Sequence, residues 1–155
     1  MPRLAGQQPA YLANQVRDFM EGRRTNPFMS RVAHALSPAM VAALATQFHE
    51  LDPQPLGGAS KDLAVMGKKI YEEGLPDSRV PACASCHGPE AKGDGQVPRL
   101  AGQLNDYIVR KLANWSGERV QDPTGGTPSG IVEPAAHALT ESEAAAVAAY
   151  VSYLD

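Results

Sequence analysis

The chain repeats itself, and this repeat constrains its fold more than any other feature of the sequence. The hexapeptide Pro-Arg-Leu-Ala-Gly-Gln occupies residues 2–7 and again residues 98–103, an offset of 96 residues. Further along, AHALS at 33–37 matches AHALT at 136–140 at an offset of 103, so the second copy holds seven extra residues. A repeat of this length indicates one folding unit that occurs twice.

The two copies differ in completeness. We predict a whole unit at residues 59–155 and a first unit at residues 1–52 that matches only its back part. Between them lies a linker at residues 53–58, where Pro and Gly break helices. The seven extra residues fall in the Gly- and Pro-rich stretch 121–134, which we predict to be a loop.

Local patterns predict helices throughout. Ser-Pro at residues 37–38 and a capping box that begins at Thr140 are typical helix starts. Another helix is predicted to be capped by Ser60 and to end at Gly74. No segment shows the alternation of a strand. The fold class is therefore all-α, and the whole unit is predicted as helix, cysteine loop, short helix, loop and closing helix.

Composition excludes several classes of function. The net charge is −3 and no dense block of Lys and Arg occurs, which argues against a nucleic-acid partner. No apolar run approaches the ~20 residues that span a bilayer, and residues 1–30 lack the layout of a signal peptide. Units of this size bury little surface each, so a bound cofactor would add to the core.

The motif Cys83-Ala84-Ser85-Cys86-His87 is a C-x-x-C-H, the attachment sequence for c-type haem. Two thiols on one turn can each add to a vinyl group at one edge of the porphyrin. The next residue then presents its imidazole to the iron as proximal ligand.

Three other uses of these cysteines are weaker. A thioredoxin-like redox pair needs a βαβ context, which a helical chain lacks. A structural zinc site takes four protein ligands, and the sequence has no second cluster of Cys and His. A disulfide between cysteines three residues apart would close a small, strained loop.

The chain resembles the class I c-type cytochromes, most of all the two-haem cytochrome c4 family. The segments that carry the resemblance are GKKIYEEG, ACASCHG, PRLAGQ and AHALTESEAAAVAAYVSYL. The family implies tandem all-α cytochrome c domains, here with the first incomplete, in a periplasmic setting. It also implies one haem c attached covalently by this chain and a second in a full-length form.

The resemblance also assigns roles around the haem. Gly67 is expected where the first helix of the unit crosses the last, and the Pro98 carbonyl is expected to orient His87. Arg99 and Gln103 are candidates for binding the haem propionates, with solvent-exposed side chains as the alternative. The expected haem surroundings are Pro98, Arg99, Leu100, Gln103, Tyr107 and Trp115.

The two copies differ at the position of the axial ligand. Met29 and Val132 both stand seven residues before the leucine of the shared AHAL. By the resemblance, Met29 is the axial iron ligand of a first-domain haem, if that haem is present. His137 is a weak candidate to replace the missing methionine of the second copy. Its counterpart His34 is present in the first copy although Met29 is there too, so a histidine at this place does not depend on the absence of Met. We therefore expect an open or water-filled sixth site at the haem of His87.

The first copy begins after the point where its own attachment motif would stand. Met1 aligns with Val97, so we expect an upstream segment with a signal peptide, a helix and another C-x-x-C-H. A genuine half-unit is the alternative, and it would leave Leu4, Leu12 and Phe19 uncovered.

The expected function is to carry electrons between periplasmic redox proteins, with no catalysis by this chain itself. The chain is a candidate cytochrome subunit of a dehydrogenase or oxidase. The alternative is a haem protein that binds small ligands such as CO or NO, or a peroxidase-like protein, through the open sixth site. A non-haem interaction module is a third hypothesis.

Overall fold

The computed structural model describes residues 1–57, 59–118 and 128–155, with the side chains of residues 118 and 128–131 left aside. Within these residues the chain consists of α-helices, 3-10 turns and loops without a β-strand, which confirms the all-α prediction. The helices of the described residues are, in order, α1 (Pro9–Met20), α2 (Pro27–Ala35), α3 (Pro38–His49), α4 (Lys61–Glu73), α5 (Ala84–His87), α6 (Asn105–Ala113), α7 (Pro128–Ala138) and α8 (Glu141–Tyr153).

The helices follow the repeat in the sequence. Shifted by the two offsets, α6, α7 and α8 of the second copy fall on α1, α2 and α3 of the first. Helices α4 and α5 come before the repeated part of the second copy, and α5 carries the cysteine motif. The repeat is therefore one of structure as well as of sequence.

Helices α4 and α8 form the centre of the second copy, and they cross where α4 has no side chain. A Cβ atom at Gly67 would overlap the carbonyl oxygen of Ala146, so the crossing lies where the resemblance implied it. Nearby, Tyr71 and Val151 are fully buried, and the rings of Tyr71 and Tyr150 lie 5.4 Å apart between centroids. Close packing of small residues here brings the helix before the motif onto the closing helix.

Most of the predicted helix boundaries are confirmed. Ser37 accepts a backbone N–H at the start of α3, and Thr140 forms both bonds of the capping box at the start of α8. Gly74 ends α4 with a φ of 72°. Ser60 precedes α4 as predicted, but its side chain makes no capping bond, so that part of the prediction is wrong.

The prediction of a loop at residues 121–134 is wrong in its second part, because α7 begins at Pro128. Proline suits the first turn of a helix, where backbone N–H groups have no helical partner. Pro134 lies inside α7, although proline there removes a backbone hydrogen bond. Helix α2, the counterpart of α7, also begins at a proline and was not predicted either. Residues 121–127 lie outside the described residues.

The two copies of the hexapeptide bind each other. Gln7 accepts the N–H of Arg99 at 2.7 Å and donates to the Arg99 carbonyl at 3.0 Å. Gln103 makes the same two bonds with Arg3, at 2.8 and 3.0 Å. Both glutamines are buried. The exchange is reciprocal because the partners occupy equal places in the two hexapeptides, and it fixes the first copy to the second.

A membrane span is not evident among the helices described. None of them alone is long and apolar enough to cross a bilayer. Helices α2 and α3 reach that length and composition only together, and the chain bends by 112° between them.

We expect Gln7→Ala and Gln103→Ala to lower the free energy of unfolding by similar amounts, about 1–3 kcal/mol each. Each substitution leaves part-buried backbone groups of the other copy without their glutamine partner. Urea unfolding followed by circular dichroism measures the change. The control is Gln47→Ala at an exposed site of α3, expected within about 0.5 kcal/mol of the parent. A loss at only one of the two glutamines would contradict the reciprocal arrangement.

Candidate haem site

The cysteine motif folds into a single helical turn. The N–H of His87 donates to the carbonyl of Cys83 at 3.0 Å. This turn brings Cys83, Cys86 and His87 to the wall of one cavity. Cys83 is half-buried, whereas Cys86 is exposed, so one edge of the site reaches the surface.

The second hexapeptide holds the imidazole. Nδ1 of His87 lies 2.9 Å from the carbonyl oxygen of Pro98. A carbonyl oxygen only accepts, so Nδ1 carries the proton and Nε2 keeps its lone pair for a metal. The loop between them turns back at Gly93, where φ is 65° and a Cβ would collide with the Val97 carbonyl.

Burial sets the protonation of the site. It lowers the pKa of His87, against the opposing effect of the hydrogen bond to Pro98. Burial also raises the pKa of the Cys83 thiol. The imidazole is therefore held in its neutral form, which is the form that binds a metal.

Tyr71 holds the other side of the motif. Its buried hydroxyl donates to the carbonyl of Gly88 at 2.7 Å, directly after the histidine. Burial raises the pKa of Tyr71 well above its ordinary value of 10. The hydroxyl thus stays protonated and remains a donor at any ordinary pH.

The motif opens on a largely apolar cavity of about 1570 Å³, with walls from both copies. Pockets for single drug-sized molecules usually measure about 300–1,000 Å³, so this cavity suits a larger group. It brings together ten of the predicted site residues. These are Met29, Cys83, Cys86, His87, Pro98, Arg99, Leu100, Gln103, Tyr107 and Trp115.

The polar groups of the cavity test whether a haem fits. Arg99 donates from Nε to the Ala101 carbonyl at 3.1 Å, but its Nη2 is buried without a hydrogen-bond partner in the described structure. A haem propionate would supply the missing acceptor. Gln103 lines the cavity, but its amide is already bound to Arg3. Thiols, imidazole, apolar walls and the orphaned guanidinium N–H together fit a haem.

The alternative uses of the cysteines fit less well. Cys83 and Cys86 are not joined in a disulfide. In residues 1–57, 59–118 and 128–155, no three His, Cys, Asp or Glu side chains gather as a metal site. The same residues form only isolated β-bridges, which do not provide the βαβ context of a redox pair.

Met29 and Val132, which stand at the predicted position of the axial ligand in the two copies, both line the cavity, whereas His137 does not. Met29 lies on α2 and Val132 on α7, each half-buried in the cavity wall. His137 is exposed and hydrogen-bonded to Ser116, 2.7 Å away.

Sequence reasoning missed Arg24. This buried arginine donates to Gln15 at 2.7 Å and to the Tyr107 hydroxyl at 3.3 Å, and its guanidinium lies 4.8 Å from the centroid of the Phe19 ring. It thereby links the first copy to a cavity residue of the second. No local pattern distinguished it, whereas the part played by Gln7 could have been found from the repeat.

Comparisons with known proteins agree with this geometry. Residues 64–155 match the family model for cytochrome c. Cytochrome c4 of Thiocapsa roseopersicina is 39% identical over 158 residues, which cover 99% of this chain and 78% of the relative. The thiosulfate dehydrogenase electron acceptor of Thiomonas intermedia (strain K12) is 37% identical, covering 97% of this chain and 69% of that protein. The solved structure of Acidithiobacillus ferrooxidans cytochrome c4 has a TM-score of 0.85 at 34% identity, covering 99% of this chain and 89% of that one.

We expect Tyr71→Phe to lower the free energy of unfolding by about 1–3 kcal/mol, because the Gly88 carbonyl loses its donor. The parent should also lose stability as pH rises above 10, where the unfolded state ionises Tyr71 and the folded state does not. Urea unfolding between pH 8 and pH 11 measures both effects. Tyr150→Phe keeps the ring pair and the bond to Gly88 but removes a second hydroxyl whose pKa burial raises, so it should reduce the pH slope without the loss of stability at pH 8. Equal pH slopes for Tyr71→Phe and the parent would contradict this account.

Proposed function

The chain belongs to the cytochrome c family and binds haem c covalently, and from this we propose that Cys83 and Cys86 form its two thioether bonds while His87 binds the iron. The observation that carries the proposal is the bond from His87 to Pro98 in the wall that also bears both thiols. When bound, the haem supplies an iron that takes up and releases one electron at a time.

The residues around the iron prepare this chemistry. The Pro98 carbonyl accepts a hydrogen bond from Nδ1 of His87, which would leave Nε2 free to hold the iron. Leu100, Tyr107 and Trp115 line the cavity, and the unpartnered Nη2 of Arg99 supports a role for this residue in binding a propionate.

The chain carries electrons, as its relatives named cytochrome c4 and electron acceptor indicate. We propose that its partners are redox proteins, because two relatives are named as electron acceptors of a dehydrogenase. The chain accepts electrons from a periplasmic dehydrogenase and passes them on without catalysis of its own. Because Cys86 is exposed, we propose that electrons enter or leave at the haem edge beside this residue.

The two copies act as two units in this proposal, residues 1–52 and 59–155. Met29 is the axial ligand of a haem bound by the first unit, where such a haem is present. Its position in the cavity wall supports this role.

We expect this chain, matured in a periplasm competent for c-type haem, to carry one covalent haem. An alkaline pyridine spectrum calibrated against protein mass measures the number. Cys86→Ser should leave one thioether bond and move the reduced absorption band to longer wavelength, because one vinyl group stays conjugated. Ser85→Ala between the cysteines should give the parental spectrum. Two haems per chain, or none, would overturn the assignment.

We expect the reduced band of the haem to appear when the chain is mixed with a thiosulfate dehydrogenase and thiosulfate. Ser85→Arg, beside the exposed Cys86, should slow this reduction several-fold because the larger side chain holds the partner away. Thr46→Arg on the exposed side of α3 adds the same charge as a control. Stopped-flow absorbance gives the rate constants. Equal slowing by both substitutions would place electron entry elsewhere.

A further inference from the structure

The two copies place different side chains at one position of the cavity wall. Met29 of α2 and Val132 of α7 stand at equal places in the repeat, and both line the cavity. A thioether can bind iron, whereas an isopropyl group has no donor atom. Helix α7 therefore brings no sulfur to the cavity that His87 lines.

The histidine of α7 does not take the place of the missing sulfur. Ser116 donates its one hydroxyl proton to Glu133 at 2.8 Å, so toward His137 it accepts. Nε2 of His137, 2.7 Å away, must then carry a proton, so this ring nitrogen is engaged with Ser116 and has no lone pair for iron. His137 is also absent from the cavity wall.

The sequence leaves few other donors. Residues 88–155 contain no Met or Cys, no second His, and two lysines. Lys92 pairs with Glu90 at 3.0 Å on the surface, and Nζ of Lys111 lies 5.4 Å from the centroid of the Tyr107 ring. As an ammonium group, a lysine donates hydrogen bonds and has no lone pair for iron.

We propose that the haem at His87 takes an external, uncharged diatomic molecule, of the carbon monoxide or nitric oxide class, at the iron position opposite His87, because Val132 of the second copy has no donor atom and Met29, which lines the same cavity, is assigned to a haem of the first unit. This inference rests on the proposed attachment of the haem at the cysteine motif. Among the described side chains of α7, Val132, Ala135 and Ala136 line the cavity, followed by Leu139 directly after the helix, and all four are apolar. Such a wall suits a neutral ligand held by the iron itself, whereas activation of oxygen or peroxide draws on polar groups.

The test uses the purified holoprotein and carbon monoxide. The oxidised parent should show a high-spin signal in electron paramagnetic resonance. After reduction with dithionite, carbon monoxide should shift the Soret band with one molecule bound per haem at His87. Val132→Met should become low-spin and lose carbon monoxide binding. The matched control is Val132→Leu, which has similar bulk without a donor atom and should keep both parental properties.

The outcomes separate this inference from the proposed function. A pyridine spectrum without covalent haem would overturn the attachment itself. A parent that carries its haem but is low-spin and does not respond to carbon monoxide would overturn the inference alone. In that case Met29→Leu, His137→Ala or Lys111→Gln should identify the side chain on the iron by a gain of carbon monoxide binding. If Val132→Met binds carbon monoxide as Val132→Leu does, Val132 does not face the iron and the inference is wrong.

Discussion

One short segment, residues 98–103, holds both the candidate haem site and the contact between the two copies. Its first carbonyl, of Pro98, accepts the imidazole proton of the motif. The next residue, Arg99, exchanges two hydrogen bonds with Gln7, and Gln103 at the end of the segment does the same with Arg3. Because these residues are neighbours in one hydrogen-bonded stretch, the orientation of the imidazole depends on how the first copy is docked.

Local signals in the sequence predicted the features that are controlled locally. The capping box at Thr140 and the proline after Ser37 set helix starts by contacts within one turn, and both are confirmed. Helix α7 was missed because its Gly- and Pro-rich sequence argues locally against a helix, whereas packing against α6 favours one. The reciprocal hydrogen bonds were also missed. A glutamine that binds a distant backbone looks the same in a sequence as one that binds a propionate.

The residues of the candidate site also fall into two groups, those that a local pattern predicted and those that only the fold brings together. The spacing of Cys83, Cys86 and His87 fixes them on one turn, so the sequence alone predicted that they share a wall. Tyr71 and Arg24 reach the site from helix α4 and from the stretch after α1, and only the folded chain shows what they bind. Their contacts join groups 17 and 83 residues apart. No periodic pattern spans such distances.

In a twofold homodimer, two copies of the same surface bind each other. The two hexapeptides make a contact of this kind within a single chain. Each hexapeptide forms one half of the contact and binds the other half. Each glutamine binds backbone atoms of the other copy, so the contact constrains Gln7, Gln103 and the path of the chain at Arg3 and Arg99. Loss of either glutamine would remove one of two equal halves of the contact. Positions outside the contact are under no such constraint, and there the two halves can diverge, as they do at Met29 and Val132.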